Sequence, residues 1–232
     1  MRIGVNYLNG ILEYLSDLAQ NNNREWYHAN KERYKKANIE FERFIGELIT
    51  AVGEFDCAIQ QNAPKDLTFK LMRDTRFSHN KSPYNPAFRA HISSAGKLPI
   101  PVGYYIFLAP GNRSFLGGGL FASMFKDATT MVRDYIVANG KLFESIISDK
   151  PFVEHFTVKG EALKNVLNGY DFAHPQAEYL KNKSWYLEYP ISDEQIVDAD
   201  GFVKQAARLF RLMKPFNDYL NDALAGFKMP SR

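Results

Sequence analysis

The sequence contains a single cysteine, Cys57, and no run of about 18 consecutive apolar residues. One cysteine excludes an internal disulfide framework, and disulfide-poor chains are typical of reducing compartments. The missing apolar run excludes a membrane-spanning helix, and the first residues lack the apolar core of a secretory signal. We therefore expect a cytoplasmic protein without a membrane partner, in which Cys57 is a buried small hydrophobe.

Recognised catalytic and metal-binding motifs are also missing. The histidines show no His-Glu-x-x-His spacing, and neither a cysteine cluster nor paired carboxylates at ligand spacing accompany them. The glycine run Gly117–Gly119 is not followed by Lys-Ser or Lys-Thr, which excludes a P-loop. No Gly-x-Ser-x-Gly elbow occurs. We expect no metal and no cofactor, and the sequence leaves open whether the protein is an enzyme.

Apolar residues at spacings of three and four predict amphipathic helices at both ends of the chain. A first helix is predicted to about residue 20, and a long one over about 24–52 follows a run of asparagines. Helical spacing resumes at Ser123 and again from Gly201 to Gly226. Pro215 lies inside this last stretch, so we expect either a kink or two helices with Pro215 in the first turn of the second.

The central third has a shorter, strand-like pattern. The segments predicted as strands are Thr68–Arg73, Ala87–Ser93, both arms of a hairpin over 103–120, and Ser184–Tyr189. Strands between runs of helices, without regular strand–helix alternation, predict one α+β domain over residues 1–232. We expect a mainly antiparallel sheet flanked by the long N- and C-terminal amphipathic helices.

Charge is unevenly distributed, although the formal net charge is only +3. Residues 64–100 contain seven basic and two acidic side chains. Residues 184–200 contain five acidic side chains and neither lysine nor arginine. Either the two stretches neutralise each other, or the basic one is a patch that binds an anion.

The segment Arg73–Tyr84 concentrates polar side chains where a predicted strand ends, a favoured place for binding residues. Arginine donates two parallel hydrogen bonds from a planar fork, which suits a phosphate or a carboxylate. The predicted ligand-binding residues of the segment are Arg73, Arg76, Ser78 and Lys81. Asp74 would orient one arginine or act as a base. The sequence therefore predicts a site for a small anionic or phosphate-bearing ligand.

Two other functions stay open for the same segment. In the first, the protein is a non-enzymatic interaction or scaffold protein and the segment is a structural lock. Its charges would then be internal ion pairs, and Phe77, Pro83 and Tyr84 would hold the loop to the core. In the second, Tyr84, Tyr104 and Tyr105 stack on nucleic-acid bases, but the low net charge and the missing motifs disfavour nucleic acid as a partner.

Several motifs carry a resemblance to a known family. Asn21–Trp26 fits the pattern NN-x-x-W, and Arg73–Tyr84 fits the long pattern RD-x-RFS-x-x-K-x-PY. Further matching segments are Gly103-Tyr104-Tyr105, Gly117-Gly118-Gly119, Gly160, Leu163-Lys164, Gly169-Tyr170, His174-Pro175 and Leu180-Lys181. With these motifs the chain resembles, over most of its length, the bacterial and fungal domain-of-unknown-function family 2461.

The resemblance implies a fold class and candidate positions, and no established activity. Asn85 stands where the family commonly has a lysine, so the site loses one cation. We expect Lys164 and Lys181 to join the ligand-binding residues and to close the site from the C-terminal half. Together with Asp74 and Tyr84, His174 is a candidate catalytic residue, although a capping or packing role is the alternative.

Overall fold

The computed structural model of the protein describes residues 7–121 and 125–230. Its helices are α1 (Tyr7–Gln20), α2 (Arg24–Ala29), α3 (Lys31–Gly53), α4 (Pro64–Leu67), α5 (Lys126–Ala138), α6 (Gly140–Ile147), α7 (Lys150–Val153), α8 (Ala177–Leu180), α9 (Asp193–Val197) and α10 (Ala199–Ala223). Its strands are β1 (Phe88–Ile92), β2 (Tyr104–Leu108), β3 (Ser114–Leu120) and β4 (Trp185–Ile191). They form one antiparallel sheet in the order β1-β2-β3-β4, which confirms the α+β prediction.

Asparagines set the boundaries of the N-terminal helices. The side chain of Asn23 accepts a hydrogen bond from the Trp26 N–H at 2.8 Å and caps α2. The backbone and side-chain N–H groups of Asn30 both donate to the Trp26 carbonyl, and α2 ends there. The predicted single helix over 24–52 is therefore two helices. Asparagine bonds to nearby backbone groups, so it ends a helix that the apolar spacing alone would continue.

The predicted hairpin is confirmed as β2 and β3. Its turn contains Gly111 at φ 80° and Asn112 at φ 56°, a left-handed conformation that these two residue types adopt at low cost. The Asp193 carboxylate accepts hydrogen bonds from the N–H of Gly111 at 2.7 Å and of Asn112 at 3.0 Å. One carboxylate of the acidic stretch 184–200 is thus engaged in holding this turn.

The prediction of a strand over Thr68–Arg73 is wrong as a regular strand. Thr68 forms an isolated bridge with Ala90, and Met72 forms another with Tyr84. The two bridges use different partner segments, so no continuous ladder develops. The segment that follows is consequently held at its two ends by backbone pairing rather than by a sheet.

The C-terminal helix α10 runs without interruption through Pro215, so the two-helix alternative is wrong. The predicted start of the preceding helical stretch at Ser123 lies outside the described residues, and α5 is described from Lys126. Cys57 is exposed in a short 3₁₀ turn, which corrects the expectation that it is buried. Within the described ranges, no helix is long and apolar enough to cross a bilayer.

Two compact units are present, and the prediction of a single domain over 1–232 stays a prediction. The first unit comprises the described residues up to Lys97 with Tyr105–Leu116 and Pro190–Leu209. Its core contains the stacked rings of Phe44 and Phe202, whose centroids are 5.3 Å apart. This unit contains the segment on which the functional prediction rests.

The second unit comprises Leu98–Tyr104, Gly117–Tyr189 and the described residues from Phe210 onward. The ring of Phe143 lies at its centre, with centroid distances of 5.0 Å to Tyr179 and 5.3 Å to Tyr219. All three rings are large apolar surfaces whose burial stabilises the unit.

Candidate functional site

The segment Arg73–Tyr84, the signature loop, is closed at its base by backbone hydrogen bonds. The Arg73 N–H donates to the Pro83 carbonyl at 2.9 Å, and the Asn85 N–H donates to the Leu71 carbonyl at 2.7 Å. These bonds lie beside the bridge between Met72 and Tyr84. The two ends of the loop are therefore held together at one fixed place in the first unit.

Asn22 clamps the end of the signature loop. Its side-chain amide donates to the Tyr84 carbonyl at 2.9 Å, and its side-chain oxygen accepts from the Tyr84 N–H at 3.1 Å. The Tyr84 ring is 5% exposed and stacks on Tyr27 at a centroid distance of 4.2 Å. Burial raises the pKa of the Tyr84 phenol, which keeps it neutral near pH 7. The two family motifs, 62 residues apart at these positions, are thus in direct contact.

Short polar contacts order the interior of the loop. The Asn80 side-chain oxygen accepts from the Ser82 N–H at 2.9 Å, the pattern of an Asx turn. The Lys81 ammonium donates to the Thr75 carbonyl at 3.1 Å. These bonds fix the backbone of the loop, and with it the positions from which the charged side chains extend.

Asp74 and Arg76 form a bidentate ion pair on the loop surface. The Arg76 Nε donates to Oδ1 at 3.0 Å and Nη2 donates to Oδ2 at 2.6 Å, while the Arg76 backbone N–H also donates to Oδ1 at 3.1 Å. The arginine bonds lower the pKa of the Asp74 carboxyl, and the carboxylate raises the pKa of Arg76. Asp74 is therefore a poor base near neutral pH, and its geometry is that of a residue that orients Arg76.

Arg73 and Lys81 have only uncharged partners within the described residues. The two terminal nitrogens of Arg73 donate to the Ser82 carbonyl and the Ser78 hydroxyl, both at 3.4 Å. These distances exceed the usual range of about 2.7–3.2 Å for an N–H···O hydrogen bond. No carboxylate among the described residues pairs with either cation. The loop thus holds the positively charged side chain of Arg73 beside the Ser78 hydroxyl, with long hydrogen bonds that satisfy it only loosely.

Phe77 does not anchor the loop, contrary to the sequence-based expectation. Its side chain is 95% exposed, and the Arg76 guanidinium lies 5.8 Å from the ring centroid. The hydrophobicity of Phe77 suggested burial, but the flanking polar residues Arg76 and Ser78 keep this part of the chain at the surface. Tyr84 has the anchoring role that was predicted for it.

His174 lies in the second unit, in a cavity of about 850 Å³ that Gly140 and Glu144 also line. Its Nδ1 accepts a hydrogen bond from the Gln176 N–H at 3.0 Å, which assigns the ring proton of the neutral form to Nε2. The Gln176 side chain donates to the Glu144 carboxylate at 2.7 Å. The imidazole is thus oriented by the backbone, and its second nitrogen remains available to a partner.

The two predicted lysines also belong to the second unit. Lys164 lines a separate cavity of about 610 Å³ together with Tyr170, whose hydroxyl donates to Asp134 at 2.7 Å. Lys181 forms an ion pair with Glu178 at 2.5 Å. The expectation that Lys164 and Lys181 close the site at the signature loop stays a prediction.

Arg133 was not singled out by the sequence, although it is the most buried arginine with defined partners. It is 3% exposed and donates to the carbonyls of Leu180 at 3.0 Å and Asn182 at 2.6 Å. Position 133 lies on the buried face of α5 with Ala128, Val132 and Ile136, and the helical spacing of these apolar residues was the available signal. Among the described residues, no group of three or more His, Cys, Asp or Glu side chains is arranged to hold a metal ion.

Comparison with known proteins gives one finding and two negative results. The model of a family described as "Conserved hypothetical protein (DUF2461)" matches residues 10–219. This range includes Asn22, the complete signature loop and all three candidate residues of the second unit. No curated protein and no solved structure matches the chain.

Proposed function

The chain belongs to the DUF2461 family, and because the family's description states no activity, we propose from the contacts of this chain that the signature loop binds a small ligand bearing a phosphate or carboxylate. The observation that carries the proposal is an imbalance of charge. The loop has three cations and one carboxylate, and that carboxylate, Asp74, is engaged by Arg76. Arg73 and Lys81 keep their charge without a carboxylate partner in the described part of the chain.

The donors of the loop suit an oxyanion. Arg73 Nη2 and Ser78 Oγ are 3.4 Å apart, so one ligand oxygen placed between them would accept a hydrogen bond from each. The Arg76 fork is oriented by Asp74 and its side chain is 78% exposed, which leaves donors free for a second oxygen. Lys81 has one bond to a carbonyl and retains two further ammonium hydrogens.

Pre-organisation favours this function because the cost of ordering the loop is met before the ligand arrives. Asn22 and Tyr84 fix the base of the loop, and the Asx turn at Asn80 fixes its interior. A ligand then loses less affinity to loop ordering on binding. The proposal is one of binding, because Asp74 is held ionised and Tyr84 is held neutral, and neither is poised to transfer a proton near pH 7.

Isothermal titration of the protein with pyrophosphate, inorganic phosphate and citrate tests the proposal. The variant R73Q/K81Q removes the two cations that lack a carboxylate partner. The matched control R113Q/K97Q also removes one arginine and one lysine, each of which donates to a backbone carbonyl in an exposed loop. We expect the wild type and the control to bind at least one of the anions equally, and R73Q/K81Q to bind it about tenfold more weakly, which is about 1.4 kcal/mol.

Two results would contradict the proposal. The first is that none of the three anions produces a saturable heat with the wild type at low ionic strength. The second is that R73Q/K81Q and R113Q/K97Q lose affinity to the same extent, because the effect would then reflect net charge alone.

The second candidate function is the scaffold role, in which the signature loop is a structural lock. The double hydrogen bond from Asn22 to Tyr84 and the stacking of Tyr84 on Tyr27 favour it. These contacts involve Asn22, Tyr27 and Tyr84, whereas the proposed anion contacts involve the side chains of Arg73 and Lys81. The scaffold role therefore depends on Asn22 and Tyr84, and anion binding depends on the side chains of Arg73 and Lys81. Substitutions at the two sets of residues distinguish the functions.

A further inference from the structure

Phe77 has the highest exposed fraction among the large apolar residues that the structure describes, and anion binding alone gives it no role. It is 95% exposed. It occupies a central position of a turn over Thr75–Ser78, which the Ser78 N–H closes by donating to the Thr75 carbonyl at 3.3 Å. The backbone that carries the ring is therefore fixed, while the ring itself is accessible. We name this segment the Phe77 turn.

The proposed anion-binding groups are tied to the Phe77 turn. The Thr75 carbonyl oxygen that closes the turn also accepts a hydrogen bond from the Lys81 ammonium at 3.1 Å. The hydroxyl of Ser78, the residue that follows Phe77, lies 3.4 Å from Arg73 Nη2. A ligand bound by Arg73 and Lys81 would therefore lie close to an exposed aromatic ring.

The charge of the signature loop fits a phosphate monoester. Three cations and one carboxylate leave the segment 73–84 with a net charge of +2. A phosphate monoester carries a charge of about −1.5 to −2 near pH 7, because its second pKa is about 6. A single carboxylate would balance only one of the two cations, Arg73 and Lys81, that lack a carboxylate partner in the described part of the chain.

A ligand group that contacts Phe77 has to be planar or apolar and joined to that phosphate. Exposed aromatic side chains bind nucleobases by stacking, which strengthens binding by about tenfold or more per base and tolerates every base. The Arg76 guanidinium lies 5.8 Å from the Phe77 ring centroid, and its Nη2 donates to Asp74 at 2.6 Å. Arg76 thus borders the ring without covering it, and adds a second planar group beside a bound base.

We propose that the ligand of the signature loop is a nucleoside monophosphate, whose base stacks on Phe77 and whose phosphate contacts Arg73 and Lys81. This inference rests on the proposed anion-binding function and names the ligand class of that site. A lipid headgroup would also join a phosphate to an apolar group. Membrane binding strengthens with the apolar area that is buried. Phe77 is the only exposed apolar residue of the segment 73–84, all of which the structure describes, so a nucleotide is favoured.

Isothermal titration calorimetry of the full chain with AMP and with ribose 5-phosphate tests the inference, because the two ligands differ only in the base. We expect the wild type to bind AMP about tenfold more tightly than ribose 5-phosphate. Phe77→Leu keeps an apolar side chain and removes the aromatic ring, so it should bind AMP only as tightly as ribose 5-phosphate. The control Phe172→Leu makes the same change at a residue of the second unit that is 85% exposed, and should bind AMP as the wild type does.

Phe77→Trp gives a readout at the ring itself. An indole stacks on a base as a phenyl ring does, so this variant should retain the affinity for AMP. Its fluorescence should fall saturably with AMP and stay level with ribose 5-phosphate. The same titration of the wild type gives the contribution of Trp26 and Trp185, the two native tryptophans.

Four results would overturn the inference. They are equal affinity of the wild type for AMP and ribose 5-phosphate, equal losses in Phe77→Leu and Phe172→Leu, tighter binding of an oligoadenylate without a terminal phosphate than of AMP, and Phe77-dependent binding of phosphatidylserine vesicles without binding of AMP. If the wild type binds AMP and ribose 5-phosphate equally and R73Q/K81Q weakens both, the inference fails and the anion proposal stands. If neither ligand nor pyrophosphate binds the wild type, both fail.

Discussion

Arg133 and Arg73 both donate to backbone carbonyls, and they differ in how well their partners satisfy them. Arg133 is 3% exposed and is bonded at 3.0 and 2.6 Å. Arg73 is half-buried and makes two contacts of 3.4 Å, one to a carbonyl and one to a hydroxyl. A buried guanidinium with short hydrogen bonds stabilises the fold. A guanidinium with long hydrogen bonds beside other cations keeps N–H donors available to a ligand. Bond length and burial thus assign Arg133 to the fold and leave the donors of Arg73 available, as the proposed function requires.

The largest expected effect is on stability at the structural arginine. Arg133→Met should lower the free energy of unfolding by about 3 kcal/mol, because two buried carbonyls lose their donors. Urea denaturation followed by circular dichroism measures this. Arg113→Met, which removes an exposed arginine that bonds to the Pro110 carbonyl, should change it by less than about 0.5 kcal/mol. Equal losses in the two variants would remove the basis of the comparison.

A smaller stability effect is expected at the base of the signature loop. Asn22→Ala should lower the free energy of unfolding by about 1–2 kcal/mol, because the Tyr84 N–H and carbonyl both lose their partner. The neighbouring Asn21→Ala is the control, since its side chain makes one exposed bond to the Asp17 carbonyl. Chemical denaturation of both variants measures the difference. If Asn21→Ala costs as much as Asn22→Ala, the clamp does not hold the loop.

The smallest expected effect is a change in the titration of Asp74. Its pKa is lowered in the folded protein by the bonds from Arg76. The pair therefore contributes to stability above the ordinary pKa of an aspartate, and the contribution is lost as the pH falls through the folded-state pKa. In Arg76→Gln the pKa should rise toward its ordinary value, as read from the carboxyl carbon shift in an NMR titration. Arg113→Gln should leave it unchanged, and an unshifted Asp74 in Arg76→Gln would show that the ion pair is not populated.

Local patterns predicted most of the fold. The hairpin over 103–120 was predicted from its strand-like pattern, and its turn lies at Gly111 and Asn112, two residue types that permit a left-handed conformation. Apolar spacing located α1, α3 and α10. The break at Asn30 was missed because asparagine weakens a helix only slightly unless its side chain finds a backbone partner, and that partner depends on the fold.

The candidate site was predictable in its residues and not in their roles. The density of charge in Arg73–Tyr84 marked the loop, and Asp74 was expected to orient one of its arginines, without the sequence deciding which one. The clamp from Asn22 to Tyr84 joins residues 62 apart, and no local rule relates them. Phe77 was wrongly predicted to be buried, because hydrophobicity alone does not distinguish a core residue from an exposed loop residue.

The central claim, that Arg73 and its neighbours bind an anion whereas Arg133 serves the fold, is tested most directly by NMR of arginine side chains. The Nε–Hε resonances of the wild type would be followed during a titration with pyrophosphate at low ionic strength. The account predicts saturable shifts for Arg73 and Arg76 with one dissociation constant, and no shift for Arg133 or the exposed Arg113. Equal shifts at Arg73 and Arg113, or none at Arg73, would contradict it.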